Sequence, residues 1–253
     1  MSDIWFLLLG VAVGGFGTLI GAGGGFLLAP AFIFLFPDMK PAHLTALTLL
    51  AVFVNAASGS IIYAKRQTVH WPSVAWFTAA GVPGALLGAW LSHWVPRESY
   101  ESAFVAFLIA MSAFVFWRSI KAKKNASARY WSGRTKWLGT AASFLIAVLA
   151  SLLGIGGGVL HVPILAEFFR YPVHLATGTS HAILAISGLA AVVTHAWLGD
   201  LANMESFMFY LIPGLVLGAQ LGAWFSPRLK GIWIMRLLAL ALLLVATRIL
   251  FKH

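Results

Sequence analysis

The chain has 253 residues, 60% hydrophobic and only 9% charged, whereas a soluble domain carries about a quarter charged residues, so a water-soluble globule is excluded. It has no cysteine, which removes disulfides, thiolate metal centres, iron–sulfur clusters and thiol nucleophiles. The formal net charge of +10 reads, in so apolar a chain, as basic loops that orient the protein and meet anionic lipid, not as a nucleic-acid footprint.

Apolar spans run at about 4–36, 43–64, 73–95, 100–118, 137–169, 174–198, 206–226 and 232–251. Each is long enough, at roughly 20 residues, to cross a bilayer as a helix. Continuous runs of this kind are not the alternating short strands of a barrel. No Lys or Arg precedes the first span, so it is expected to be retained rather than cleaved as a signal peptide. Trp5, Trp71, Trp94, Trp117, Trp137, Trp197 and Trp233 lie near span ends, as in an interfacial aromatic belt. The expectation is an all-α polytopic protein of the inner-membrane type, with eight hydrophobic segments and the lipid bilayer as a partner.

The first span contains "LIGAGGGFLLAP", Leu19 to Pro30, and the fifth "LLGIGGGVLHVP", Leu152 to Pro163. Both carry G-x-G-G-G, at Gly21–Gly25 and Gly154–Gly158, with a proline five residues later. As one straight helix, a segment of about 33 residues would measure roughly 50 Å against a hydrocarbon core of about 30 Å. Each must tilt, break or turn back. A broken helix offers unpaired N–H groups and a positive dipole end, which together bind anions, and glycine lets a ligand approach the backbone. Gly23, Gly24 and Gly25, with Gly156, Gly157 and Gly158, are therefore candidate substrate-binding residues aimed at one central anion. The competing reading is close packing through small-xxx-small patterns such as Gly17/Gly21/Gly25; two matched copies in overlong segments favour a site. No G-K-S/T follows, so a phosphate loop is not supported. Gly84/Gly88 and Gly214/Gly218/Gly222 lie in unbroken spans at i,i+4 spacing and read as packing faces, which permit a homodimer without requiring one.

The spans after each glycine motif are polar. The first offers Thr45, Thr48, Asn55 and Ser58; the second, "ATGTSHAILAISG", offers Thr177, Thr179, Ser180, His181 and Ser187. Such groups can donate to an oxyanion without holding it as a full charge would, or can simply bond between helices and back to their own carbonyls. His161, His181 and His195 lie within or near spans and are relay, ligand or structural candidates. His43 and His174 recur near span starts and suit interfacial or capping roles. With no H-E-x-x-H and no histidine pair beside an acid, neither a metal nor a cofactor is expected. The acids sit at span ends except Glu167, which can pair with Arg170 at i,i+3. Cation pumps keep carboxylates at membrane depth, so an anionic or neutral substrate fits better. Lys65 and Arg66 can attract anions at one mouth or serve as positive-inside anchors. Ser180 and His181, as helix neighbours, face different ways and make a poor catalytic dyad, so no enzyme is expected.

The stretch "RSIKAKKNASARYWSGRTK", Arg118 to Lys136, holds Arg118, Lys121, Lys123, Lys124, Arg129, Arg134 and Lys136 and no acid, and reads as cytoplasmic. It separates two similar halves. The glycine motifs are 133 positions apart, "PAHL" returns as "PVHL" after 131, and "PGALLGA" returns as "PGLVLGA" after 130. The chain is accordingly divided into a first membrane repeat, 1–118, a basic linker, 119–136, and a second repeat, 137–253, each of four segments. If the broken segments cross, the repeats are parallel; if they re-enter, each repeat has three crossings and the pair is inverted. Charge counting does not choose, and transporter precedent leans to inverted.

With "GAGGGFLLAP", "GIGGGVLHVP" and "ATGTSHAI" in this layout, nearly the whole chain resembles the sulfite exporter TauE/SafE family, also called the toluene-sulfonate uptake permease family. The resemblance implies a multi-pass transporter in the bacterial inner membrane that moves sulfite, organosulfonates or related anions, often outward. "LTALTLLAVFVNA" in the first repeat is poorer in glycine and serine than its partner, so an asymmetric site is expected. Left open are an anion channel, a carrier of a non-sulfur organic anion, and a non-transport assembly protein.

Overall fold

The structure is a computed structural model and describes residues 3–121, 133–202 and 204–250. These residues form ten α-helices and no strand: α1 (Asp3–Ile20), α2 (Gly25–Leu35), α3 (Pro41–Lys65), α4 (Trp71–Leu91), α5 (Arg97–Lys121), α6 (Gly133–Leu152), α7 (Gly158–Glu167), α8 (Val173–Trp197), α9 (Met208–Phe225) and α10 (Gly231–Leu250). Short 3₁₀ turns, Ser92–Trp94 and Ser226–Arg228, follow α4 and α9. The first and fifth apolar segments are each cut in two at their glycines. Gly21, Gly23 and Gly24 have φ of 82, 76 and 81°, and Gly154 and Gly156 of 66 and 70°. A side chain would cost roughly 1–2 kcal/mol at each of these left-handed positions, which is why the helices stop there. Most of the basic linker, residues 122–132, lies outside the described residues; α5 reaches into it as far as Lys121 and α6 begins at Gly133.

Helix directions follow from who touches whom. Gly84 packs on the Phe144 carbonyl and Gly88 on that of Val148, so α4 and α6 run the same way. Gly214 packs on Leu7, Gly218 on Val11 and Gly222 on Gly15, so α1 and α9 do too. By contrast Gly188 lies on Phe53, Gly59 on His181 and Gly178 on Thr68, so α3 and α8 are antiparallel. The helix pairings are unchanged when the halves are exchanged: α1 with α9 answers α6 with α4, α3 with α9 answers α8 with α4, and α3–α8 and α5–α10 map onto themselves. A two-fold relation that reverses α3 into α8 has its axis perpendicular to those helices. Six helices, α3, α4, α5, α8, α9 and α10, are long and apolar enough to cross a membrane, so the axis lies in the membrane plane and the repeats are inverted.

The remaining helices form hairpins. Phe207 stacks on both Phe6, at the start of α1, and Phe36, just past α2, with ring centroids at 4.7 and 4.9 Å. Arg97, at the start of α5, donates to the carbonyls of Ile33, Phe36 and Met39. The α1–α2 segment thus enters and leaves on one face. On the other face, Phe169, past α7, packs on Gly139 of α6 and on Phe77, with ring centroids at 5.5 Å. Tyr171 bonds Ser73 at the start of α4. Among the described residues the second face gathers Lys65, Arg66, Arg170, Arg228 and Lys230 against Glu167 alone. The first holds Lys40, Arg97 and Arg248 with Asp38, Glu98, Glu101, Asp200 and Glu205. The topology therefore makes the charge asymmetry legible.

Leu145, Leu189, Leu217, Leu221, Leu240, Leu243 and Leu244 point outward, as a lipid-facing surface requires. The glycine faces do not: the α4 and α9 glycines are spent on α6 and α1 inside one chain, so they leave no stripe to hold a second copy. Replacing Gly88 or Gly222 by Val would force a side chain into the Val148 or Gly15 backbone. Each substitution is expected to cost about 1–3 kcal/mol and to lower the melting temperature in detergent, while lipid-facing Leu244→Ala leaves it within error.

Candidate functional site

The two hairpin tips meet at the centre. A Cβ on Gly25 would strike the Ile155 carbonyl oxygen, and one on Gly158 the Gly21 carbonyl oxygen and Ala22. Gly23 and Gly156 both face Val52, in the middle of α3. The first tip is closed by N–H groups of Gly21 to Thr18 (3.0 Å), and of Ala22 and Gly23 to Gly17 (2.9 and 3.2 Å). Bonding of α2 resumes with Leu27 and Leu28 to the Gly24 carbonyl, at 3.0 and 3.1 Å. Between them lie the N–H groups of Gly25 and Phe26, the donors that a helix start leaves without an internal acceptor. The second tip repeats the scheme: Gly154 and Ile155 donate to Ser151 and Ala150, and Leu160 and His161 to Gly157 (3.1 and 2.8 Å). There the first-turn donors are Gly158 and Val159.

The tips are braced by hydroxyls. Ser180 donates to the Gly21 carbonyl at 3.1 Å, Tyr63 to Thr18 at 2.8 Å and Tyr100 to Leu153 at 2.8 Å. Of the sequence candidates, Thr48 and Thr177 bond back to Leu44 and Val173, at 2.7 and 2.8 Å, and Ser187 to Ile183 at 2.8 Å. Thr179 accepts the His70 N–H at 2.9 Å, which ties α8 to the α3–α4 loop. Burial lowers the His70 pKa from its ordinary 6.5, which suits a ring whose Nδ1 accepts the Ser73 N–H at the start of α4. Thr45 lies against Gly154, and its buried hydroxyl has no hydrogen-bond partner.

The second tip borders a small cavity of about 10 Å³ lined by Ser151, Gly156, Gly157, His161, Leu184 and Ser187 among others, roughly room for one water. His161 Nε2 meets the Ser143 hydroxyl at 3.3 Å, and its ring packs edge-on against Phe77. Asn55 reaches Gly14 and accepts from Thr18 at 3.2 Å, while its amide nitrogen has no partner. His181, fully buried beside Gly59 and edge-on to Tyr63, has neither ring nitrogen bonded.

The glycines, Thr45, Asn55, His161, Thr177 and Ser180 thus gather at the two tips, whereas Thr48 bonds its own helix and Thr179 the α3–α4 loop. His43 and His195 instead sit at the first face, and Arg66 caps α9 by donating to the carbonyls of Ala223 and Trp224 at 3.0 and 3.2 Å. Sequence reading missed Thr18, Ser143, Ser151, Tyr63 and Tyr100. Thr18 and Ser151 were within reach, because they share the 133-residue offset of the glycine motifs. The tyrosines act across distant parts of the chain and give no local signal.

Inverted repeats and two re-entrant hairpins meeting between them are the architecture of a membrane transporter. Residues 6–249 match the family described as Sulfite exporter TauE/SafE, and the chain belongs to that family. It is 28% identical to "Probable membrane transporter protein YunE" of Bacillus subtilis, over 100% of this chain and 98% of the relative. Similar proteins with the name "Probable membrane transporter protein" occur in Xylella fastidiosa, at 28% identity over 88% of this chain and 83% of the relative. One from Methanocaldococcus jannaschii is 28% identical over 80% of this chain and 74% of the relative. No solved structure matches.

The bracing hydroxyls make a stability prediction. Tyr100→Phe and Ser180→Ala each take the hydroxyl donor from a buried tip carbonyl, that of Leu153 or Gly21, and are expected to cost about 1–3 kcal/mol. Thr48→Val and Thr177→Val remove only back-bonds and should cost clearly less, as read from thermal unfolding in one detergent.

Proposed function

We propose that the chain carries a small sulfur-containing anion, sulfite or an organosulfonate, out of the bacterial cell through the plasma membrane. The two repeats, 1–118 and 137–253, rock about the hairpin tips so that the site opens to each face in turn. The observation that carries this reading is the meeting of two glycine tips whose first-turn N–H groups are uncommitted, in a centre without carboxylates. Neutral donors and two dipole ends favour an anion, and binding through dipoles is weak enough to permit release. Gly23–Gly25, Gly156–Gly158, Thr45, Asn55, His161 and His181 are the side of the proposal nearest the substrate. Thr48, Thr177, Thr179 and Ser180 are positioning residues, because their hydroxyls are already engaged. The cavity of about 10 Å³ is too small for sulfite, so the tips must part to admit it. The basic face is the cytoplasmic one, and the sulfur chemistry and the outward direction rest on family membership.

A thermal-shift panel with sulfite, sulfate, taurine, isethionate and acetate, and cations as controls, tests the ligand class. A selective ligand at 100 times its Kd should stabilise by about 2.7 kcal/mol. Gly157 has an ordinary helical backbone, φ −64°, so Gly157→Ala keeps the fold while pressing its methyl on the His161 ring, at 2.8 Å from Nδ1. It should abolish both the shift and transport into proteoliposomes. Stabilisation by cations alone, or full transport by Gly157→Ala, would sink the anion site.

A further inference from the structure

Three histidines from three elements converge on one loop acid at the acidic face. His93, in the turn after α4, lies with Nε2 3.0 Å from the Asp200 carboxylate. His195, at the end of α8, places Nδ1 2.6 Å from the same carboxylate, and the two rings are 6.0 Å apart. His43, in the first turn of α3, donates from Nδ1 to the Asp200 backbone carbonyl at 2.6 Å. Carboxylate and carbonyl oxygens only accept, so all three hydrogen bonds fix where the ring N–H sits. In neutral His195 the lone pair is then on Nε2, an atom that is buried and has no partner. In neutral His43 it is on Nε2, which faces the Glu205 carboxylate at 3.9 Å. Two acceptors oppose each other there unless a proton sits between them.

Two members of this node, His43 and Asp200, line a vestibule of about 670 Å³ together with Phe36, Asp38, Lys40 and Glu205 among others, and His93 and His195 sit behind them on the Asp200 carboxylate. Behind it, Arg97 of α5 is paired with Glu101 at 2.8 Å and adds no net charge. With the histidines neutral, the vestibule holds three carboxylates against one lysine and repels anions. With all three protonated, the vestibule and the node behind it together become net positive. The vestibule lies at the outer ends of α2, α3 and α8, whose inner parts form the hairpin-tip centre. Among the described residues, no three such groups are placed to hold a metal ion.

We propose that His43, His93, His195 and Asp200 form a proton-binding site at the extracytoplasmic mouth, so that acid on that side admits anions to the transport pathway. Histidine is the side chain that changes charge between about pH 5 and 8, and a mouth of reversed sign alters anion encounter severalfold. The proposal rests on the anion-carrier reading, and its test separates the two. The probe is isethionate, whose sulfonate stays ionised throughout this range. Its flux through that face in oriented proteoliposomes should be about fivefold higher at pH 5.5 than at pH 8. His93→Gln/His195→Gln should flatten the profile, and the part-exposed single variant His93→Gln should flatten it partly. Histidine ring NMR of the full chain in detergent, assigned by the same variants, should show His93 and His195 titrating between pH 5 and 8. A wild-type profile retained in the double variant, or rings that do not titrate in that range, overturns the proposal. Titrating rings without isethionate flux at any pH support the proton site and overturn the sulfonate-carrier reading instead.

Discussion

Everything in this architecture answers to one constraint. In hydrocarbon, a backbone N–H or C=O without a partner costs several kcal/mol, so irregular chain is tolerated only where protein surrounds it. Two glycine breaks put irregular chain at the heart of the molecule. The fold therefore encloses them with six spanning helices, α3 and α8 nearest, and braces their carbonyls with Tyr63, Tyr100 and Ser180. Three of the tip carbonyls are satisfied in this way, and the first-turn donors of α2 and α7 are left over. Such donors at the positive ends of two helices favour an anion before any side-chain charge is considered.

Close packing follows from the same constraint. Lipid offers no hydrophobic drive between helices, so contact must come from backbone approach. That explains why Gly214, Gly218 and Gly222 all bear on α1 and why Gly84 and Gly88 bear on α6. Each hairpin's longer arm is gripped by a helix of the opposite repeat. In the proposed rocking, movement of one repeat against the other carries a hairpin arm with it, so the tips move with the helices that hold them. The pairing of α1 with α9 and α4 with α6 is thus the mechanical link between scaffold and site.

Much of the fold was legible because membrane sequences announce their spans through composition and their breaks through glycine. The eight segments, the two interruptions and the repeat offsets of 130–133 were all local or periodic signals. Helix direction was not, since charge bias at loops fits both topologies until contacts such as Gly188 on Phe53 decide between them. Of the candidate centre, the glycines were readable, whereas the fate of each hydroxyl was not. Thr48 and Ser180 look alike in sequence, yet one bonds its own helix and the other holds the opposing hairpin. The His43–His93–His195–Asp200 node joins residues up to 157 positions apart. No sequence window contains it.

The two halves share a path but not their chemistry. His161 has Leu28 as its counterpart at the 133-residue offset, and Asn55 and His181 have Ile186 and Leu50 at the 131-residue offset. One tip borders a small cavity beside His161, and at the other Asn55 reaches Gly14 and accepts from Thr18. In an inverted-repeat carrier, the two end states are made by exchanging the conformations of the repeats. Identical halves would make those states equal in energy and the carrier indifferent to direction. In the proposed exchange, Asn55 and the His161 imidazole pass between unlike surroundings, so the two states differ in energy. That inequality, together with the histidine cluster at the acidic mouth, gives the molecule a sidedness that its symmetric helix pairing alone would lack.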